Sequence, residues 1–312
     1  MSKYRDCLPQ LNNKRFITDG GLETTLIFHR GFNLPQFAAF DLLKDAFGYE
    51  ALAKYYRDYV QLAQQHRVGF ILESATWRAS RDWGQKIGYA ATDIDAFNRL
   101  AISLLEDIRQ EYETPTSPMV ISGCIGSRGD GYNPAELMNE IEAEHYHAEQ
   151  IATFANTNAD LVTAMTVTYI EEAIGIVRAA QKAQMPVVIS FTVETDGKLP
   201  TGESLRNAIA AVDRATNNAP IYYGINCAHP QHFAHVLQQE KWTNRIKMIR
   251  ANASIKSHAE LDEAETLDDG NPINLGIQYQ KLKTLLPNLN IFGGCCGTDI
   301  RHIEQICQSA LF

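Results

Sequence analysis

The chain has 312 residues, 45% hydrophobic and 21% charged, enough for a large core in two average domains or in one α/β barrel. With 28 Lys and Arg against 37 Asp and Glu, the net charge of −9 repels phosphate backbones and anionic head groups and excludes nucleic acid and membrane surfaces as expected partners. No apolar run approaches the ~18 residues of a membrane span, and MSKYRDCLPQLNNKR lacks a signal peptide's apolar stretch, so a cytoplasmic location is expected. In that compartment the six cysteines read as thiols.

In chain order, short β-rich runs bounded by Gly, Pro or Asn predict eight strands, at residues 16–21, 69–76, 119–127, 160–167, 187–194, 221–228, 246–253 and 290–297. Several are apolar almost without alternation, as parallel strands covered on both faces are. Helical periodicity recurs between them. Residues 49–66 put Leu52, Tyr55, Tyr56, Tyr59, Leu62 and Ala63 on one face. Asp93 caps the next helix, whose buried stripe is Ile94, Phe97, Leu100, Leu104, Leu105 and Ile108. Asn133-Pro134 opens another, with Pro at its first position. Eight strand–helix alternations predict that residues 1–312 form one domain, a (β/α)8 barrel. An open doubly wound sheet is the alternative, but DGGLET after the first strand lacks the G-x-G-x-x-G spacing that such a sheet uses for phosphate.

A barrel's chemistry lies at the carboxyl ends of its strands, here Asp19, Glu73, Cys124, Met165, Thr166, Glu194, Asn226, Cys227, Asn252, Cys295 and Cys296. Acidic residues also gather after strand seven, in Glu260, Asp262, Glu263, Glu265, Asp268 and Asp269, and read as a solvated loop. Cys227 ends strand six and Cys295-Cys296 ends strand eight, so three thiols converge on one mouth. Neighbours in a pleated strand face opposite ways, and a vicinal pair meets at one point only where the pleat breaks, which Gly293, Gly294 and Gly297 permit. Three thiolates are the ligand set of a catalytic Zn2+ with an open fourth position. Small buried residues under a tight turn are the other reading. His229, His232 and His235 offer a competing metal set but fall beyond the strand end, where capping or solvated histidines are commoner. His145 and His147 form an H-x-H pair in a helical stretch, not at the end of strand one where barrel hydrolases carry theirs.

GGCCGT near the C-terminus, Gly224-Ile225-Asn226-Cys227 and an Asp-Gly-Gly ending the first strand together resemble the homocysteine S-methyltransferase family. Residues 190–205 and 147–161 also look like family segments, so the likeness spans nearly the whole chain. It implies a (β/α)8 barrel with Zn2+ on Cys227, Cys295 and Cys296, where a substrate thiol is deprotonated and a methyl group on a positively charged sulfur or nitrogen is displaced. It further implies Asp19, beside Gly20, as partner of the substrate amine and Thr76 as a neighbour of the substrate. From the sequence alone, Asp19 reads instead as a turn-capping residue.

The departures concern recognition. The family's Glu-Thr pair at the end of strand four, whose Glu binds the homocysteine ammonium, is Met165-Thr166 here, so Glu73 or Glu194 substitutes or the substrate lacks that ammonium. Ser74-Ala75-Thr76-Trp77 stands where Thr-Asn-Thr-Phe is favoured, with Arg78 next, and 250–254 replaces a Tyr-Pro-Asn-Ser-Gly pattern. Trp77, Trp83 and Tyr132 suggest an aromatic wall for a methylated cation, or plain packing. The leading expectation is a zinc-dependent S-methyltransferase moving a methyl group from a small sulfonium or betaine-like donor to a thiol, homocysteine by default, giving methionine. A chain of 312 residues has no room for a cobalamin or folate module beside the barrel. The alternatives are the same zinc barrel acting on another thiol, a selenol or another methylated substrate, and a zinc- or thiol-binding protein without turnover. The oligomeric state is left open.

Overall fold

Strands apolar on both faces need cover on both, and here closure supplies it. In the computed structural model, which describes residues 2–132, 134 and 137–311, eight parallel strands pair in sequence order and β1 closes on β8. They are β1 Phe16–Ile17, β2 Gly69–Glu73, β3 Met119–Gly126, β4 Leu161–Val167, β5 Val187–Phe191, β6 Tyr222–Asn226, β7 Ile246–Ala251 and β8 Ile291–Gly294. The (β/α)8 barrel is therefore observed and the open sheet is not. All eight predicted strands exist, but most stop short of their predicted ends, because the last residues leave the ladder to build loops at the mouth.

Period-two alternation explains the interior. Phe16, Ile71, Val120, Leu161, Val188, Tyr222, Met248 and Ile291 form the apolar cluster inside the barrel. Two residues further along the same faces come Glu73, Ser122, Thr163, Ser190 and Arg250, all buried. The inside thus turns from apolar to polar toward the carboxyl ends. The larger core lies between strands and helices, with Leu52, Tyr55, Leu104, Ile151 and Ile303 within it.

The long helices begin where capping groups meet orphan N–H donors. Ala46–His66 starts before the predicted residue 49, because Asp45 accepts from Gly48 N at 2.8 Å. Asp93 sits inside the first turn of Ala91–Tyr112, accepting from Ala90 N at 2.9 Å, and Leu100 of the predicted stripe is exposed. Glu140–Ala155 starts at a reciprocal Asn139/Glu142 capping box. Pro134 precedes that helix and is not part of it, while Asn133 lies outside the described residues. Among the described residues no helix is long and apolar enough to cross a membrane.

Candidate active site

Cys227 directly follows β6 with a left-handed backbone (φ 54°), which costs a non-glycine residue energy and turns the chain out of the ladder. β8 ends at Gly294, and Cys295 and Cys296 stand in the turn beyond it, closed by Thr298 N donating to Cys295 O at 3.1 Å and by Gly297 at φ 78°. The pleat breaks where the vicinal pair requires it. The three sulfurs lie within 4.8 Å of one another, Cys227 Sγ to Cys296 Sγ being 3.9 Å. Tetrahedral zinc with Zn–S of about 2.3 Å spaces its sulfur ligands by roughly 3.8 Å, so the donor set fits Zn2+ in number, softness and reach. The two strand ends bring the Cα atoms of Cys227 and Cys295 to 5.4 Å and their sulfurs into contact, and a metal ion would take all three sulfurs as thiolates. Burial pushes the Cys296 thiol up to about 11, against a contact from Tyr132 OH at 3.6 Å.

These sulfurs line a cavity of about 470 Å³ at the mouth, with Asp19, Gly20, Glu23, Glu73, Arg78, Met165, Asn226 and Arg250 also on its wall. Asp19 accepts from Arg250 Nη2 at 2.7 Å and Tyr55 OH at 3.0 Å, so it is more than a turn cap. Burial still raises its pKa, opposed chiefly by Arg250. Glu73, 4% exposed, makes no hydrogen bond of ordinary geometry through either carboxylate oxygen, because the neighbouring Ser122 and Thr163 hydroxyls bond each other at 2.8 Å and only weakly oppose the rise in its pKa. Burial pushes its pKa up to about 7, opposed by the Arg250 charge. Glu23 is pushed to about 7 by desolvation, with the Asp19 carboxylate adding to the rise. Arg250 Nη2 also donates to Gly20 O at 3.2 Å, and a Cβ on Gly20 would meet Tyr59 OH at 2.7 Å.

Other predicted residues support the wall without forming it. Thr76 is not on the cavity; its Oγ1 donates to Cys124 O at 2.7 Å and ties β2 to β3. Thr166, also off the cavity, has φ 60°, and its N–H and Oγ1 clasp the Asn226 amide at 3.0 and 2.8 Å. Asn226 Nδ2 lies 4.0 Å from Cys295 Sγ. Glu194 does not reach the cavity; its Oε1 lies 3.1 Å from His258 Nδ1, and His258 Nε2 donates to Cys227 O at 2.6 Å. The histidine set is not with the sulfurs: His229 caps the turn Pro230–Phe233, His232 bonds Ile255 O and His235 is exposed. His147 pairs with Glu172 at 3.0 Å.

Two expectations need correction. The acidic stretch after β7 is not simply a solvated loop: Leu261, Asp262, Leu267 and Asp268 lie on the cavity wall, and Asp268 is held by Ser254 Oγ at 2.8 Å. The aromatic wall is already occupied, because Arg78 stacks on both Trp77 and Trp83, Lys86 also lies over Trp83, and Tyr132 stacks on His258. Sequence reading missed Arg250, Arg78, Glu23 and His258 as site residues. Arg250 left a signal, a charge ending an apolar strand, whereas His258 reaches Cys227 across 31 positions and left none.

Fold and site together define an α/β-barrel enzyme with a cysteine-lined cavity at the carboxyl ends of its strands. The chain belongs to the homocysteine S-methyltransferase family, whose model matches residues 16–310, and it is a methyltransferase. Homocysteine S-methyltransferase 1 from Arabidopsis thaliana and its namesake from Brassica oleracea var. italica are each 21% identical, over 94% of this chain and 92% of theirs. The homocysteine methyltransferase MmuM from Escherichia coli superposes in its oxidised form with a TM-score of 0.76 at 17% identity, covering 97% of this chain and 99% of its own. Its metallated form gives 0.71 at 16%, covering 96% and 97%. At these identities the superpositions establish the fold.

Proposed function

We propose that this methyltransferase is zinc-dependent and moves a methyl group from a small sulfonium or betaine-like donor to a thiol, homocysteine by default, giving methionine. The observation that carries the reading is the convergence of Cys227, Cys295 and Cys296 on one wall of the cavity. Zn2+ held by these three would supply the positive charge that keeps a substrate thiol deprotonated at neutral pH. The chain's own residues bind and orient. Asp19 is fixed in orientation by Arg250 and Tyr55 on the wall of the same cavity as the sulfurs, placed to attract an ammonium group. Met165 lines the cavity without an acceptor, and Glu73, unpartnered on the same wall, takes the ammonium contact that Met165 cannot make. Asn226 and Thr166 lock each other and hold the chain entering Cys227. With Zn2+ in place a substrate thiol would release its proton to solvent, so no histidine base would be needed.

The test is metal analysis of the reduced protein, followed by methyl-transfer assays from S-methylmethionine, S-adenosylmethionine and betaine to homocysteine. One zinc per chain and turnover with one donor are expected. A zinc-free protein whose Cys296→Ala variant is equally active ends the reading. Met165 favours a second reading, an acceptor other than homocysteine such as another thiol or a selenol. Calorimetric binding of homocysteine at micromolar concentration would exclude it.

A further inference from the structure

Among the buried arginines Arg78, Arg109 and Arg250, two have carboxylates within salt-bridge distance, Arg109 with Asp160 at 2.6 Å and Arg250 with Asp19 at 2.7 Å. Arg78, 6% exposed, has none among the described residues. Its guanidinium carbon lies 3.9 Å from the Trp77 ring centre and 3.6 Å from that of Trp83. Both indoles are pinned in turn, Trp77 Nε1 donating to Met165 O at 3.3 Å and Trp83 Nε1 to Ser127 O at 3.4 Å. Arg78 Nη1 donates to Gly129 O at 3.1 Å, while Nε has no partner. Burying a cation without a counter-ion is costly, and proteins keep such a group where something else supplies the charge. Arg78 lies on the wall of the cavity that holds the three cysteines. Ring contacts cover the guanidinium faces and leave its N–H edge, the edge that matches a carboxylate.

We propose that Arg78 is the carboxylate anchor of the cavity, selecting zwitterionic substrates that carry a carboxylate together with a cationic centre. A phosphate-bearing ligand is disfavoured, because Asp19, Glu23, Glu73, Asp130 and Asp262 line the same space. A zwitterion brings a cation for these acids and a carboxylate for Arg78, on which Asp130 and Glu23 already act at longer range without reaching salt-bridge distance. The anchor rests on the methyltransferase reading for the choice of ligands, and both acceptor and donor of that reaction are amino-acid-like.

Calorimetry on reduced protein given one equivalent of Zn2+ tests the proposal, comparing wild type, Arg78→Gln and Arg78→Lys. The probes are homocysteine, S-methylmethionine and glycine betaine, each against a carboxylate-free counterpart: 3-aminopropanethiol, (3-aminopropyl)dimethylsulfonium and tetramethylammonium. At least one carboxylate ligand is expected to bind ten-fold or more weakly to Arg78→Gln, with an intermediate loss for Arg78→Lys. Its carboxylate-free counterpart should bind all three proteins alike. The ligand that responds assigns the anchor to acceptor or donor. Unchanged affinities, a parallel loss for the carboxylate-free probes, or a wild type that binds none of the ligands overturns the proposal. Circular-dichroism melts monitor folding, and Arg78→Lys, which keeps the charge over the indoles, carries the test if the Gln variant does not fold. Methyl transfer is assayed separately: its absence with the binding pattern intact removes the proposed zinc-dependent transfer to a thiol and leaves the anchor standing.

Discussion

Glu73 brings a carboxyl group into the barrel with neither oxygen bonded, and its pKa of about 7 exceeds the ordinary 4.5 because burial outweighs the Arg250 charge. The folded chain therefore holds a proton that the unfolded chain releases. That contribution is complete below about pH 4.5 and is lost as pH rises through about 7. Glu73→Gln, which cannot ionise, should melt a few degrees above wild type at pH 8, on the order of 2 kcal/mol, and close to wild type at pH 5. Calorimetric melts at the two pH values check this. If Glu73 also meets the substrate ammonium, the same variant raises KM for the amine-bearing substrate at least ten-fold. Cys296→Ala leaves two thiols, and zinc content measured after desalting should fall from one per chain to near zero, with methyl transfer down at least a hundred-fold.

The end of β8, where the turn carrying Cys295 and Cys296 begins, is built on glycines packed against threonine side chains. A Cβ on Gly293 would stand 1.9 Å from Thr18 Oγ1, and one on Gly294 would stand 2.0 Å from Thr298 Oγ1. Gly293→Ala should therefore cost about 1–3 kcal/mol in thermal unfolding and weaken zinc binding, since the Thr18 side chain must move aside to admit the methyl group. A variant that melts and binds zinc like wild type would show that the turn tolerates this shift. The stretch after β7 was legible in composition but not in position. Its acids read as solvated, yet Ser254 and the short helix His258–Asp262 fold it over the cavity. Those contacts cross from one strand end to another, and periodicity within a segment carries no information about them.

Closure of the whole barrel rests on the two-residue strand β1, paired to β2 on one side and β8 on the other. Phe16 is fully buried in the interior cluster there. Phe16→Ala should cost about 3–5 kcal/mol and lower the melting midpoint in one cooperative transition. A loss below 1 kcal/mol would mean that the interior collapses around the gap.

Strand count, barrel class and the three cysteines could be read from the chain, because alternation, apolar runs and residue identity are local or periodic properties. Register separates the two acids proposed for the substrate: period two puts Glu73 on the interior face with Ile71 and on the cavity wall, while Glu194, beyond the end of β5, turns to His258. Closure likewise set Arg250 on Asp19 and left Arg78 without a carboxylate, and it filled the indole wall with the protein's own cation. Pairing of charges depends on distances between residues far apart in sequence, up to 231 positions for Arg250 and Asp19, and only the folded barrel brings them together.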